Sequence, residues 1–565
     1  MTGRWYRNAV IYSVDVGRFQ DSDGDGIGDL PGLMSRLDYL ARLGVTALWL
    51  NPVHPSPGRD GGYDVTDYYG INPQIGSLGD MAALIDEADE RGLRIILDLV
   101  VNHTSDEHPW FHAARSDRRS PYRDWYVWSD DEPPDRFEGQ VFPGVEAETW
   151  TYDEHAGAWY RHRFYGFEPD LNTDNPAVRA EIQKITGFWL RLGVSGFRID
   201  AAPFLIERRP REGRATDGRA PTHDFSLLRR LQESVSWRRG DAILLAEANV
   251  PDDEIVEYFG TADGSASRID VVFAFRLNEA LMLSLARQDA ASLRATLEEL
   301  PALPRNGQWA TFLRNHDEVD LGWLTATERD EVFDAFGPEA DMQAYGRGLR
   351  RRMAPMLDGD GRRLRMAYSL QFTMPGTPVI RYGDEIGMGE DLSLPEREAI
   401  RTPMQWDAIP GAGFSSADSG AWPIAAIREG RFAYDKLNVA AQRRDPESLL
   451  TWFERTLHTL RECPEVGNGR HELHDGAPSH VLVHTATGPS GQMLFLHNLA
   501  DTACTVAFEP GAALDPEIRL HPFDVLTDAD YGDELDLRAL RLGGYGFRWI
   551  RLHRATTRRM EPEVG

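Results

Sequence analysis

Basic side chains are scarce in this chain of 565 residues, where 61 Lys and Arg stand against 90 Asp and Glu for a formal net charge of -29. That balance excludes the broad basic face that nucleic-acid binding requires, and its ordinary physical role is solubility. Lysine occurs only at Lys184 and Lys436, which reads as coding preference more than function. Cysteine is nearly absent. Cys463 and Cys504 are far apart and fit no metal-ligand spacing, and a chain of this size does not need a disulfide between them. Long apolar runs are missing too, since none approaches the roughly 18 residues of a membrane span. Residues Met1 to Arg7 lead directly into a strand-like segment without an apolar signal stretch. These absences predict a soluble, cytoplasmic protein with neither nucleic acid nor membrane as partner. They leave the oligomeric state open, a homo-oligomer included.

The chain is too long for one compact core. Strand-like runs recur near residues 10–14, 45–50, 94–99, 196–199, 243–245, 271–273, 309–313 and 379–381, with helical patterns between them. Between the first two, Leu33, Leu37 and Leu40 share a helical face that Gly44 closes. Eight such alternations predict an α/β fold, a (β/α)8 TIM barrel. A long aromatic and polar stretch over 104–167 reads as an irregular subdomain inserted after the third strand, and a charged stretch over 319–357 as a helical insertion. The barrel then spans 1–103 and 168–465. From 466 to 565 short alternating segments, such as Val481 to His484 and Met493 to Leu496, predict a C-terminal antiparallel β-domain.

Three of the apolar runs lead to an acid: Asp200 after Gly196-Phe197-Arg198-Ile199, Glu247 after Leu244-Leu245-Ala246, and Asp317 in Arg314-Asn315-His316-Asp317. Acids at the C-terminal ends of separate barrel strands converge on one pocket, and two converging carboxylates are the minimum machinery for breaking a glycosidic bond. Arg198 lies two residues before Asp200 and points the same way, so it is expected to keep Asp200 ionised. Glu247 is flanked by Leu245, Ala246 and Ala248, an apolar setting that favours a raised pKa and a proton to donate. Asp21-Ser22-Asp23-Gly24-Asp25-Gly26-Ile27-Gly28-Asp29 places oxygens at alternate positions around a turn that glycine permits, which suits Ca²⁺. An EF-hand reading fails at the last loop position, where Gly32 stands in place of glutamate.

Taken in order, Asp98-Leu99-Val100-Val101-Asn102-His103, Gly196 to Asp200, Glu247 and Asn315-His316-Asp317 resemble the α-amylase superfamily of retaining α-glycoside enzymes. Within it the chain is similar to the trehalose synthases, which interconvert maltose and trehalose. That likeness is carried by Arg59 to Val65, Glu168 to Asn172, Gly383 to Gly389 and Arg401 to Trp406. The resemblance implies Asp200 as nucleophile, Glu247 as acid/base and Asp317 as transition-state stabiliser. It implies Tyr63, Asp64, His103, Arg198, Asn249, His316, Glu318 and Arg401 as sugar-binding residues, with Tyr63 stacking on the ring. It implies structural calcium held by Asp21, Asp23, Asp25, Asp29 and the Ile27 carbonyl, a second calcium at Asn102, Asp170, Leu205 and Glu207, and no organic cofactor. Ala201 resembles enzymes that cleave α-1,4 bonds.

One departure bears on the product. The trehalose synthases continue past the third acid with Glu-Leu-Thr-Leu-Glu, whereas here Glu318 is followed by Val319-Asp320-Leu321-Gly322 and the second glutamate is missing. The expected function is therefore an isomerase of small α-glucosides, with an α-1,4-glucosidase as the alternative. A non-catalytic barrel used as a binding module is a third reading, which the retention of all three acids disfavours.

Overall fold

Eight parallel strands close into a barrel in a computed structural model, which describes residues 4–207, 223–261, 266–418, 420, 422–489, 491–508, 520–526 and 535–554. The strands are β1 (Ile11–Val14), β2 (Ala47–Leu50), β3 (Arg94–Leu99), β4 (Gly196–Ile199), β5 (Ile243–Ala246), β6 (Val271–Phe273), β7 (Gln308–Thr311) and β8 (Thr377–Arg381). Each pairs with its neighbours in sequence, and β8 returns to β1 through Val379 beside Ile11. Side chains alternate along every strand. Ile11, Ala47, Trp49, Ile96, Ile243, Leu245, Val271, Phe273, Ala310 and Val379 fill the barrel interior as one cluster. Their neighbours Tyr12, Leu48, Leu97, Phe197, Leu244, Val272 and Ile380 face the surrounding helices. Burial on both faces is why these strands read as unbroken apolar runs. Gly196 is required by this packing, because a Cβ there would sit 2.5 Å from the Ile243 carbonyl oxygen.

Helix Leu37–Leu43 ends where Gly44 takes a left-handed conformation (φ 99°), a position that favours glycine. β7 stops at Thr311, short of the expected 313, because the chain leaves the ladder there to carry residues 314–318 across the barrel mouth. The 104–167 stretch holds helix Pro109–Ser116 and a small antiparallel sheet of Trp128–Ser129, Ala158–Arg161 and Trp150–Asp153. The 319–357 insertion differs from a purely helical reading. It pairs helix Ala326–Phe336, started by a Thr325/Glu328 capping box, with a sheet of two-residue strands at Val319–Asp320, Gly348–Leu349 and Gln343–Ala344. Strands that short carry no readable period.

Past helix Leu449–Arg461 the chain forms an antiparallel sheet ordered Arg470–Leu473, Val481–Gly488, Gly491–Asn498, Phe547–Arg554, Leu520–Asp524. His497 and Trp549 of this sheet both bond the Ser369 hydroxyl on barrel helix Gly361–Thr373, each at 2.9 Å. Cys463 and Cys504 are free thiols. No helix among the described residues is long and apolar enough to cross a membrane.

Candidate active site

The three acids leave the barrel at the C-terminal ends of β4, β5 and β7, where TIM-barrel chemistry sits. Immediately after Asp200, Ala201 adopts a left-handed conformation (φ 48°, ψ 42°), and its neighbour Ala202 donates its N–H to the Glu247 carbonyl at 3.0 Å. This sharp turn lifts Asp200 off the strand end into the cavity. Alanine tolerates the conformation far better than a β-branched residue would.

Beneath the acids Arg198, 1 % exposed, ties the site together. Its Nη1 donates to Asp200 Oδ1 and to Asp98 Oδ1, both at 2.7 Å, and its Nη2 donates to Glu247 Oε2. One guanidinium spanning both catalytic candidates sets a separation compatible with the ~5–5.5 Å of retaining enzymes. Asp98 is in turn held by Trp49 Nε1 at 3.1 Å and the Tyr63 hydroxyl at 3.0 Å. Burial pushes the Asp200 carboxyl up to about 7 against the pull of Arg198, with the charges of Asp98 and Asp317 adding to the rise. Arg198 does act to keep Asp200 ionised, as expected, but desolvation outweighs the guanidinium. Glu247 is also pushed up to about 7, by burial first, with Arg198 opposing and Asp200 adding.

Asp317 is treated in the opposite way. Burial pushes it up, but His316, Arg397 and Arg401 outweigh that and hold it well below the usual carboxylate range. Arg397 Nη1 donates to Asp317 Oδ1 at 2.8 Å, Arg401 Nη2 to the same oxygen at 3.3 Å, and His316 Nε2 lies 3.1 Å from Oδ2. Burial lowers the pKa of His316, with the charge of Asp317 opposing. Asp317 is therefore a fixed negative charge beside two acids that can share a proton.

These groups line a cavity of about 600 Å³, within the range of small-molecule sites. Tyr63, His103, Asp200, Glu247, Asn249, His316, Asp317 and Glu318 reach its wall. Asp64, Arg198 and Arg401 do not. Asp64 is fully buried and held by the Ser56 hydroxyl at 2.5 Å and by Arg59, while Asp60 reaches the cavity wall, bonded by Arg397 at 2.6 Å. Arg401 acts from behind, through the His316 carbonyl and Asp317. Tyr63 is packed flat against His316 with ring centres 5.4 Å apart, and its hydroxyl bonds His316 and Asp98, so it is not free to stack on a sugar through that face. Sequence reasoning missed Asp60, Arg397, Arg347, Trp323 and the aromatic wall of Phe142, Phe164 and Phe204. Asp60 lay within a motif already singled out. The aromatics come from stretches that carry no period.

The aspartate loop expected to hold calcium divides as well. Carboxylate oxygens of Asp21, Asp23 and Asp29 all lie within 4.8 Å of one another, an all-oxygen donor set that fits Ca²⁺. Asp25 stands outside this group and accepts the Ile27 amide at 2.7 Å, closing a turn. The second set does not fit. Arg161 lies 3.7 Å from Asp170 and 3.8 Å from Glu207, Arg163 bonds Glu207 directly, and the Arg163 amide and Asn102 both donate to Asp170. Guanidinium groups already supply the positive charge that an ion at Asn102, Asp170, Leu205 and Glu207 would bring.

A pH dependence follows from the coupled acids. With Asp200 as the nucleophile and Glu247 as the acid that the resemblance implies, turnover would require Asp200 ionised and Glu247 protonated, and both are pushed up to about 7. The pH profile of kcat/KM should be a bell with its maximum near neutrality, falling in acid as Asp200 protonates and in alkali as Glu247 loses its proton. A flat profile between about pH 5 and 9 would overturn the pairing.

Comparison with known proteins places the chain in a family. The model of the alpha amylase catalytic domain matches residues 13–334 and 350–467. A trehalose synthase of Pimelobacter sp. (strain R48) is 38% identical over 97% of this chain and 96% of its own length. A trehalose synthase/amylase of Mycobacterium tuberculosis is 40% identical over 97% of this chain and 90% of its own. Among solved structures, an alpha-amylase from H. orenii superposes with a TM-score of 0.75 at 27% identity, covering 96% of this chain and 99% of that one. A trehalulose synthase does so with 0.76 at 25%, covering 97% and 100%. A closed parallel barrel with three acids at its mouth, matched over most of its length by the alpha amylase catalytic domain, makes this chain an enzyme of the α-amylase family.

Proposed function

We propose that the enzyme isomerises maltose and trehalose through a glucosyl-Asp200 intermediate. Asp200 attacks the anomeric carbon of the non-reducing glucose while Glu247 protonates the departing oxygen, which releases the second glucose. That glucose turns within the cavity. Its anomeric hydroxyl gives a proton back to Glu247 and attacks the glucosyl carbon, freeing Asp200 and forming trehalose without consuming water. Asp317 and Asp60 are suited to grip hydroxyls of the non-reducing ring, since Asp60 is buried, Asp317 is partly exposed to the cavity, and both carboxylates are anchored by Arg397.

The observation that carries this reading lies at the acceptor end. Asn249 donates to Asp320 Oδ2 at 2.7 Å and accepts from Trp323 Nε1 at 2.5 Å, and all three line the cavity. Asp320 answers the missing glutamate: its carboxylate lies 3.2 Å from where the Cβ of a side chain at Gly322 would begin. The acceptor wall thus keeps a carboxylate bonded to Asn249, supplied from two residues earlier. Arg347 pairs with Asp320 at 3.2 Å and donates to the Val141 carbonyl at 3.1 Å, joining the insertion to the 104–167 subdomain across the cavity rim. A rim held closed retains glucose and excludes water, which is what separates isomerase from hydrolase.

Proton NMR of the anomeric region during incubation with maltose, and separately with trehalose, tests this. Interconversion with little free glucose is expected. Arg347→Ala should raise the share of turnovers that release glucose several-fold. Glucose as the main product of the unaltered enzyme would favour the second reading, an α-glucosidase, in which Gly322 marks an acceptor site too open to hold its sugar.

The Asp21, Asp23 and Asp29 group is proposed to bind one structural Ca²⁺. The ion would brace the loop that meets the Ser415 hydroxyl through Asp21, at 2.5 Å, and would take no part in the chemistry. Chelation with EGTA should lower Tm, added Ca²⁺ should restore it, and Asp21→Asn should abolish the response. A Tm indifferent to both would remove calcium from the account.

A further inference from the structure

Helix Phe275–Arg287, which follows β6, grips the stretch 312–324 at both of its ends. Asn278 Nδ2 donates to the carbonyls of Phe312 and Leu313, at 2.8 and 3.2 Å, where the chain leaves β7. Beside it in sequence, Glu279 Oε2 accepts the backbone N–H groups of Trp323 at 2.9 Å and Leu324 at 3.1 Å. The Leu324 amide also reaches the Leu321 carbonyl at 3.3 Å, whereas Glu279 is the one acceptor of the Trp323 amide among the described residues. Two adjacent side chains of one helix thus hold the stretch that carries Asp317, Asp320 and Trp323.

Glu279 is 1 % exposed and does not itself reach the cavity wall. Burying an acid is costly unless its polar atoms are answered, and its Oε1 has no partner among the described residues. Burial pushes the carboxyl up to about 8, with the charge of Asp320 adding to the rise and the Trp323 and Leu324 amides and Arg276 opposing it. An apolar side chain would avoid that cost but would leave the Trp323 amide without an acceptor. What the acid supplies is therefore an oxygen for two consecutive N–H groups. What those bonds hold is the Trp323 indole, which is 43 % exposed, lines the cavity and donates from its Nε1 edge to Asn249. An aromatic side chain open to a cavity and bonded at its polar edge suits the apolar face of a sugar ring.

We propose, resting on the isomerase reading above, that Glu279 is a positioning residue for the acceptor sugar. Through the backbone of Trp323 it sets the indole against which the released glucose is held while it turns. Trp323 is the surface that meets the sugar, and Glu279 acts one contact behind it.

The fate of the glucosyl enzyme is the readout. With a 2,4-dinitrophenyl α-glucoside as donor and added glucose as acceptor, released phenolate counts every turnover and disaccharide counts the transfers to glucose; the remainder went to water. Both fates start from one intermediate, so their ratio is blind to the fraction of protein folded and to the speed of the first step. Glu279→Leu should raise the glucose concentration for half-maximal transfer several-fold, as the Trp323 amide loses its acceptor. Glu279→Gln keeps an oxygen for both N–H groups and should stay close to the unaltered enzyme. Trp323→Ala, at an exposed position, should show the same rise as Glu279→Leu, and an unchanged value there would overturn the platform even if Glu279→Leu did not fold. An unchanged value in Glu279→Leu, or an equal rise in Glu279→Gln, would overturn the role of Glu279 alone. No disaccharide from the unaltered enzyme at any glucose concentration would instead sink the isomerase reading, and this positioning role with it.

Discussion

Asp200→Asn should lower turnover of maltose by about 10⁴-fold or more while the protein stays folded. The amide cannot form the glucosyl ester, and no other carboxylate can take over. Asp98 lies under the floor, tied to Arg198, Trp49 and Tyr63, and Asp317 is locked against Arg397 and Arg401. Stability should hold or rise. The folded-state pKa of Asp200 is raised above that of the unfolded chain, so its ionised form burdens the fold above the unfolded pKa, and the burden is relieved as pH falls through about 7. The neutral amide removes it at every pH, while the lost bond to Arg198 works the other way. Comparing Tm at pH 5 and pH 8 separates the two effects, since the gain from the substitution belongs to the higher pH. Near-normal turnover in this variant would sink the double-displacement mechanism.

The barrel was legible because burial on both faces leaves runs such as Ile243-Leu244-Leu245-Ala246 without a polar interruption. The acids were legible because each ends or shortly follows such a run. What could not be read is everything fixed by contacts between distant segments. Asp64 and Asp60 lie four residues apart in one motif, and only the fold decides that Asp64 meets Ser56 and Arg59 while Asp60 meets Arg397. The tilt of Asp200 toward holding a proton depends on desolvation, which no spacing reveals, whereas the charge on Arg198 was visible and was given too much weight. The surroundings of Asp170 and Glu207 were hidden for the same reason. Arg161 and Arg163 lie over 40 residues from Glu207, and nothing in the local sequence shows that they reach it. Gly322 reads in the sequence as a lost acceptor contact, and nothing local shows that the Asp320 carboxylate lies 3.2 Å from where its Cβ would begin.

Glu247→Gln should divide substrates by their leaving groups. Breaking maltose expels a sugar hydroxyl, a poor leaving group that needs the proton Glu247 holds near neutrality; without it the rate should fall by about 10²–10⁴-fold. A 2,4-dinitrophenyl α-glucoside leaves as a stable phenolate and needs no proton, so glucosylation of Asp200 should stay close to the normal rate. The second half-reaction fails with both substrates, because glutamine cannot take a proton from the attacking hydroxyl. A rapid burst of phenolate followed by a slow phase is therefore expected, with one glucosyl unit on Asp200 visible by mass spectrometry of the intact protein. The alkaline limb of the pH profile should vanish in the same variant, since the group that causes it has gone. Glutamine also keeps an oxygen able to accept from Arg198 Nη2, so the floor beneath Asp200 is preserved and the loss reports on the proton rather than on collapse of the site. Equal slowing of both substrates, with no burst, would show that Glu247 holds Arg198 in place and that the acid lies elsewhere, with Glu318, pushed up to about 7 by burial and Asp317 on the same cavity wall, as the candidate to test next.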